Sequence, residues 1–249
     1  MDRLSRSLAR NYLRYARRIP SHGLLCQLTP NPRAENQRHL QFSTNEMDAA
    51  ILKTLLGDWP NLLQSAKASL YRRIMSKKEF LDLIRRCFRE GDKSCLDFAI
   101  NNISTVSELV AIAKTTSLTT TDGIRVICST VASPAPPNNK SDSKLHHVYF
   151  YRIVVENISS QVVQLLARSW VFSCSGAEDQ VLARWQPGVI GETPVLAPGD
   201  SFVYMSSAGI SSAEGGTMRG AFNMLQCEDN KKFEVEVGET RLLPTKALF

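Results

Sequence analysis

The sequence predicts an α+β protein in which a small N-terminal helical domain precedes an all-β sandwich. In the first half of the chain, apolar residues stand three and four positions apart, as on one face of a helix. In the second half they alternate with polar residues and turn signals follow at close intervals, as in strands with one buried face. With 249 residues and 43% apolar composition, the chain is long enough to bury the core of one or two domains.

The first 34 residues carry the excess positive charge. They contain seven arginines against Asp2 alone, so the net charge of +6 lies in this segment and the remaining chain is neutral. Over residues 1–20 the arginines follow a helical period, and acidic residues are almost absent, which is typical of a mitochondrial transit peptide. The opposite side of this helix carries Leu4, Leu8, Tyr12 and Tyr15. We therefore expect a location in the mitochondrial matrix; a retained basic arm that binds RNA or anionic lipid, or a solvated helix, are the alternatives.

Residues 1–43 are interpreted as this arm followed by an extended, proline-containing linker, and residues 44–117 as a helical domain. Two capping boxes, Ser76 to Glu79 and Thr105 to Glu108, predict helix starts. The apolar stripe expected before the first box consists of Leu63, Ala66, Leu70 and Ile74. The inward-facing residues expected after it are Phe80, Ile84, Cys87 and Phe88.

The helical region also contains Leu70-Tyr71-Arg72, followed by Ile84-Arg85-Arg86-Cys87-Phe88-Arg89. This pair of segments resembles the LYR family of small mitochondrial helical proteins. The resemblance implies docking of a mitochondrial acyl carrier protein, with its acyl-phosphopantetheine inserted among the helices. The residues expected to bind it are Leu70, Tyr71, Arg72, Arg85, Phe88 and Arg89. The surrounding basic charge would equally suit RNA, and a solvated helical face with Tyr71 and Phe88 as ordinary core is the third interpretation.

Residues 118–249 are predicted to form the sandwich, after a threonine-rich hinge over 115–121. The clearest strand is 148–157, which places four apolar residues on one face, and Arg152 and Glu156 on the other. The four apolar residues are Tyr149, Tyr151, Ile153 and Val155. Further strands are predicted at 124–131, at 161–173 with Trp170 and Phe172, and around Phe202, Met218 and Phe233, with a turn at Pro198-Gly199.

Four segments of this region resemble the ApaG family in order and spacing. They are Gly188-Val-Ile-Gly-Glu-Thr-Pro194, Leu196-Ala-Pro-Gly-Asp200, Phe202-Val-Tyr204 and Thr217-Met-Arg-Gly220. The resemblance covers about residues 118–244 and implies an immunoglobulin-like or fibronectin-III-like sandwich. It implies binding of protein partners and no catalytic function.

The glycine loop around Gly188 and Gly191 invites a nucleotide interpretation. Gln186 stands where ApaG proteins usually have a further glycine, and no strand-turn-helix pattern surrounds the loop. A structural turn is favoured, with a small-anion site as the alternative. Arg219 and Arg168 could meet such an anion, but arginines at the edge of a sandwich more often pair with a nearby carboxylate.

No catalytic or metal-binding motif is recognisable in the sequence. The six cysteines show no C-x-x-C spacing, His146 and His147 have no partner at ligand spacing, and no P-loop or nucleophile elbow occurs. No apolar run approaches the roughly 20 residues that span a bilayer. We therefore expect a protein that is not an enzyme, has no transmembrane segment, binds no cofactor directly and keeps its cysteines reduced.

Three function classes follow from these patterns. The leading one is an adaptor or structural subunit of a large mitochondrial assembly, with the mitochondrial ribosome or its assembly intermediates favoured and a respiratory complex or its assembly factor as the alternative. Its partners would be protein subunits of that assembly, with acyl carrier protein and RNA as further partners. The second class is a free-standing interaction module that recruits a client. The third is an enzyme acting on a phosphate-containing ligand.

Overall fold

The computed structural model describes residues 3–26, 73–90, 100, 103–132, 147–174, 179–210, 212 and 214–244. The described residues divide into two compact units, which meet in sequence between Lys114 and Thr115. The N-terminal unit is mainly helical and the C-terminal unit is all β. No helix among these residues is long and apolar enough to cross a membrane.

The helical unit contains three helices and one pair of short antiparallel strands within the described residues. The elements are α1 (Arg3–Arg18), β1 (Leu24–Cys26), β2 (Arg73–Met75), α2 (Lys77–Glu90) and α3 (Ile103–Ala113). The capping box predicted at the start of α2 is confirmed. Glu79 N–H donates to Ser76 Oγ at 3.2 Å, and Ser76 N–H donates to Glu79 Oε2 at 2.8 Å. These two bonds satisfy backbone donors that the first turn would leave without partners.

Helix α1 is part of the core of this unit. Its buried stripe comprises Ser5, Leu8, Tyr12 and Ala16, three and four residues apart, and continues to Ile19. The ring of Tyr12 lies 6.4 Å from that of Phe80 and 6.1 Å from that of Phe88, measured between centroids. The segment predicted as a separate arm and the helical domain predicted after it therefore share one hydrophobic core.

Three local predictions for this half are wrong. Ile74 was expected on a helical stripe but lies in β2, and Leu24–Cys26, expected in an extended linker, pairs with it as β1. The two strands are almost 50 residues apart, so no local pattern reveals their pairing. Thr105 does not cap a helix, because α3 already begins at Ile103. Leu63, Ala66 and Leu70 lie outside the described residues.

The C-terminal unit consists of two antiparallel sheets within the described residues. The first has the order β3-β4-β5-β9, with β3 (Thr116–Thr121), β4 (Ile124–Ala132), β5 (His147–Asn157) and β9 (Ser201–Ile210). The second has the order β11-β10-β6-β7, with β6 (Val163–Cys174), β7 (Gln180–Pro187), β10 (Gly216–Gln226) and β11 (Lys231–Leu242); the short β8 (Val195–Leu196) also pairs with β6. The all-β sandwich predicted for this half is confirmed.

The core of the sandwich lies between the two sheets. The alternation predicted for β5 is confirmed on its inner face, where Tyr149, Tyr151, Ile153 and Val155 are buried. From the facing sheet, Trp170 stacks edge-on against Tyr151 and against Phe222, at centroid distances of 6.1 and 5.5 Å. Apolar residues with a period of two thus account for most of this core.

The threonine-rich segment predicted as a hinge is strand β3. Its six residues pair with β4, and Asp122 and Gly123 form the turn between the two strands at φ of 48° and 76°. Threonine is β-branched and favours strands, so the composition that suggested a hinge also suits an edge strand. The sandwich therefore begins at residue 116 rather than at 118.

Side chains of β3 and β4 also bond to the backbone of β11, across the two sheets. Ser117 Oγ donates to Gly238 O at 2.8 Å, Thr119 Oγ1 to Glu236 O at 2.7 Å, and Thr130 Oγ1 to Arg241 O at 2.6 Å. We call this row of three bonds the seam. It closes one side of the sandwich through hydroxyl groups rather than through a continuous ladder.

The outer face of β5 is less exposed than the alternation predicts. Arg152 lies on the face opposite the four apolar residues, as predicted, but it is only 3% exposed, and Val154 on the same face is fully buried. Glu156 on this face is partly exposed, and its carboxylate pairs with Arg125 at 3.2 Å. A period of two identifies the two faces of a strand, but it does not show whether the second face is covered.

Asn157, at the end of β5, organises the connection to β6. Its Nδ2 group donates to Gln161 O at 2.7 Å and to Leu196 O at 2.9 Å, and its Oδ1 accepts from Ser159 N–H at 3.0 Å. The side chain is fully buried, so each of these groups would otherwise lack a partner at a cost of about 1–3 kcal/mol. Asn157 therefore fixes the loop after β5 and the position of β8.

Candidate functional site

The side of the sandwich that carries β7 differs from the side with the seam. Within the described part of the chain, β7 pairs with β6 only and forms the edge of its sheet. The register places Gln186 opposite Arg168 and Ala183 opposite Trp170, so two residues of β7 face only one of β6. This is a β-bulge, a feature that bends a strand and redirects its side chains.

Trp185 lies in this bulge. It has a φ of 50°, a conformation that is costly for a bulky residue and occurs mainly where the surrounding structure imposes it. Its side chain is 42% exposed, so the bulge directs a large aromatic ring towards solvent rather than into the core. Positive φ at an exposed tryptophan contributes nothing to packing, and this makes Trp185 the first candidate for a binding residue.

Other exposed apolar residues follow the same edge. Val181 in β7 and Val195 in β8 are exposed on the outer face of the sheet, in register with Val171 and Gln164 of β6. Ile190, in the loop that joins β7 to β8, is exposed as well. We call Val181, Trp185, Ile190 and Val195 the apolar edge. Apolar residues that follow one sheet edge in this way form a surface suited to another protein.

The predicted glycine loop lies between β7 and β8 and is a tight hairpin. Val189 and Glu192 exchange backbone hydrogen bonds of 2.8 and 2.9 Å, and the two residues between them in the chain are Ile190 and Gly191. These two have φ of 45° and 82°, the pattern of a two-residue turn that requires positive φ at both positions. Gly191 permits this conformation, and Ile190 is thereby held on the outside.

The side chain of Arg168 holds the start of this loop. Its guanidinium donates to the carbonyl oxygens of Pro187 and Gly188 and, at 3.1 Å, to Gln186 Oε1. The loop amides are also in use, since Gly188 N–H donates to Leu166 O at 2.7 Å. N–H groups that already donate to carbonyl oxygens are poorly placed to bind an anion. The geometry therefore favours a structural turn in this loop over a binding site for a small anion.

Arg219, the third residue predicted for this loop, lies elsewhere. It stands in β10 opposite Val171 of β6, whereas Pro187, at the start of the loop, stands opposite Ala167 of β6. These two positions of β6 are four residues apart, which is about 13 Å at the rise of a strand. Its guanidinium pairs with Asp179 at 2.9 Å, as expected for an arginine at a sandwich edge. Gly188 and Gly191 therefore share one loop, and Arg219 is not part of it.

The residues predicted to bind acyl carrier protein are only partly described. Phe88 is buried in the helical core against Tyr12, and Arg85 forms an exposed ion pair with Asp82 at 3.0 Å. Arg89 lies in α2, and its side chain is outside the described residues, as are Leu70, Tyr71 and Arg72 altogether. The phenyl ring of Phe88 is thus already covered by α1 in the folded chain.

The Cys128 thiol and the Tyr204 hydroxyl of the sandwich core are not activated. Burial raises the pKa of the Cys128 thiol to about 12, and it also raises that of the Tyr204 hydroxyl well above its ordinary value. A thiol with such a pKa stays protonated at neutral pH and is a poor nucleophile. In the part of the chain that the structure describes, no three His, Cys, Asp or Glu side chains are arranged to hold a metal ion.

Comparison with known proteins identifies similarity over the sandwich. The ApaG domain family matches residues 137–226. The Protein ApaG of Thiobacillus denitrificans is 36% identical over 102 residues, which cover 41% of this chain and 77% of that protein. The Protein ApaG of Dechloromonas aromatica is 33% identical over 112 residues, covering 45% and 85%. A crystal structure described as an ApaA protein from Bordetella pertussis is 27% identical, covers 53% of this chain and 98% of that one, and has a TM-score of 0.43.

Proposed function

Because this chain belongs to the ApaG family through its C-terminal sandwich, we propose that it is a non-enzymatic adaptor or structural subunit of a large mitochondrial assembly. The mitochondrial ribosome or one of its assembly intermediates is the favoured assembly, and a respiratory complex is the alternative. In this proposal the sandwich binds a protein subunit, and the N-terminal helix directs the chain to the matrix.

The observation that carries the binding part of the proposal is Trp185. An exposed tryptophan held at positive φ on an open sheet edge supplies the large rigid contact on which protein interfaces depend most. Arg184 beside it is exposed and has no carboxylate partner among the described residues. We propose that the occupant is an extended segment of a partner protein, with an apolar side chain against Trp185 and an acidic one facing Arg184.

The bulge determines how such a segment would bind. A regular edge strand could accept a long additional strand through backbone hydrogen bonds, but the register shift at Trp185 interrupts the ladder. Side-chain contacts with the apolar edge would therefore provide most of the affinity and the specificity.

Replacing Trp185 with alanine should weaken partner binding strongly and leave the fold intact. Removal of a central aromatic residue of an interface costs about 2 kcal/mol or more, roughly 30-fold in affinity. The residue is 42% exposed, and alanine retains the Cβ that makes positive φ costly, so the free energy of unfolding should change by only a few tenths of a kcal/mol. The measurement is the fraction of tagged chain that sediments with a particle from isolated mitochondria.

The control is Ile158→Ala, since Ile158 is also an exposed apolar residue of the sandwich but lies in the loop after β5 and is not one of the four residues of the apolar edge. It should sediment like the native chain. Equal sedimentation of the Trp185 variant and the native chain would remove the apolar edge from the proposal. Migration of the native chain in a small soluble complex would favour a free interaction module over a subunit of a large particle.

Mitochondrial targeting is tested separately with residues 1–34 fused to a fluorescent reporter. Five arginines of α1 are exposed and the helix contains no acidic residue, which is typical of import signals; the five are Arg6, Arg10, Arg14, Arg17 and Arg18. The fusion should enter mitochondria, and changing Arg10, Arg14, Arg17 and Arg18 to glutamate should abolish entry. Cytosolic retention of both the fusion and the full-length chain would exclude the mitochondrial assignment.

Docking of acyl carrier protein has weaker support. An acyl chain that reached Phe88 would have to displace Tyr12, whose ring already packs there. We therefore base the proposed function on the sandwich rather than on the helical unit.

A further inference from the structure

The outer face of α1 carries a regular row of arginines. Arg6, Arg10, Arg14 and Arg17 are all exposed and follow one another at intervals of four, four and three residues. Residues at these spacings lie on one face of a helix. We call this row the arginine ridge. With a rise of 1.5 Å per residue it extends over about 16 Å.

The helix that bears the ridge is held in place by its opposite face. Leu8, Tyr12 and Ala16 are buried in the helical core, and the ring of Tyr12 contacts those of Phe80 and Phe88. The arginines are therefore presented by a fixed, preformed scaffold and not by a loose basic tail. Binding to such a scaffold avoids the entropy cost of folding an arm onto its ligand.

The ridge is electrostatically unfavourable in the isolated chain. Like charges three or four residues apart in a helix each cost about 0.2–0.5 kcal/mol, and α1 contains no carboxylate to offset them. Among the described residues, no acidic side chain pairs with Arg10, Arg14 or Arg17, and Arg10 Nε donates to the backbone carbonyl of Arg6 at 3.3 Å. Packing of Tyr12 and its neighbours stabilises the helix against this repulsion, and a polyanion would relieve it.

We propose that the arginine ridge binds the phosphate backbone of single-stranded RNA. Guanidinium groups donate in a planar fork that matches phosphate oxygens. The step of about 6 Å between successive arginines is comparable with the separation of successive phosphates along an extended strand. The contacts would be to the backbone, so the affinity would depend on salt and hardly on sequence.

A membrane surface fits the helix less well. An amphipathic helix binds a bilayer by burying its apolar face among the lipids. In α1 that face is already occupied by α2 and α3, since Leu8, Tyr12 and Ala16 are buried in the protein. An acidic helix could repeat carboxylates at the same spacing, and binding of polyglutamate in place of the oligouridine would identify such a partner.

The test is fluorescence anisotropy of a labelled oligouridine with the full chain over a series of salt concentrations. The triple variant Arg10→Gln, Arg14→Gln, Arg17→Gln should bind more weakly, and the slope of log K against log salt should be shallower by about 2, since each lost phosphate contact removes roughly 0.7. All three side chains are exposed, so the circular dichroism spectrum should not change.

The control variant removes the same charge from the sandwich, by Lys231→Gln, Lys232→Gln and Arg241→Gln in β11, where all three side chains are exposed. It should keep the native affinity and slope. The proposal is overturned if the α1 variant binds RNA like the native chain, if both triple variants lose the same affinity, or if the native chain binds polyglutamate or phosphatidylserine vesicles but not the oligouridine. Trp185→Ala should retain RNA binding, which separates this proposal from the proposed protein interaction.

Discussion

Replacing Trp170 with alanine should destabilise the sandwich by about 3–5 kcal/mol. The indole is only 3% exposed and makes edge-to-face contacts with the rings of Tyr151 and Phe222. Its removal loses the burial of a large aromatic side chain and two favourable aromatic pairs, and it leaves a cavity in the core. Urea unfolding followed by far-ultraviolet circular dichroism measures the change.

The position opposite Trp170 provides an internal check. Gly220 is its register partner in β10, and a Cβ atom there would collide with the six-membered part of the indole and with the carbonyl oxygen of Ser169. Gly220→Ala should therefore be destabilising in the native chain. In a chain that already carries Trp170→Ala the clash with the ring is gone, so the added cost should be smaller, and the two substitutions should not be additive.

Either of two results would contradict this account. A cost below about 1 kcal/mol for Trp170→Ala would mean that the ring is not part of the core. Additive effects of the two substitutions would mean that the indole does not lie over Gly220.

Tyr12→Ala should destabilise the helical unit by about 3–5 kcal/mol, although the residue lies in a segment whose sequence resembles a transit peptide. The side chain is 2% exposed and packs against Phe80 and Phe88, so its loss would open a cavity at the centre of the three helices. The measurement is chemical unfolding of the full chain, monitored at a wavelength dominated by helix.

Leu13→Ala is the matched control for this prediction. Leu13 is the next residue of the same helix but is largely exposed, so the substitution should change stability by less than about 0.5 kcal/mol. Equal effects of the two substitutions would show that α1 does not pack as described. A large effect of Tyr12→Ala alone would mean that cleavage after residue 20 removes part of the core, so that α1 must be retained for the unit to stay folded.

Much of the sandwich could be predicted from the sequence, because its strands and turns follow from short patterns of neighbouring residues. The alternation around Tyr149 and Val155 identifies the inner face of β5, and Pro198-Gly199 marks the turn before β9. The capping box at Ser76 likewise depends on residues three positions apart. Patterns that depend on residues only a few positions apart can be recognised in a single sequence.

The features that sequence reasoning missed depend on distant residues. Leu24–Cys26 becomes a strand because it meets Arg73–Met75, and α1 becomes part of a core because Phe80 and Phe88 cover Tyr12. Trp185 adopts positive φ because the register between β6 and β7 shifts at Ser169. The apolar edge as a whole was therefore not foreseeable; for Trp185 alone, a tryptophan between an arginine and a glutamine, outside any apolar alternation, was an available signal.

The seam between β3, β4 and β11 bears on the lifetime of the folded sandwich. Its bonds join residues 111 to 121 positions apart, and contacts of such separation carry the highest loop-closure cost. We expect them to form after the folding barrier, where an interaction slows unfolding without accelerating folding. The seam thus links the first and last strands of the sandwich, so that local unfolding of either strand must break the hydrogen bonds that hold the other.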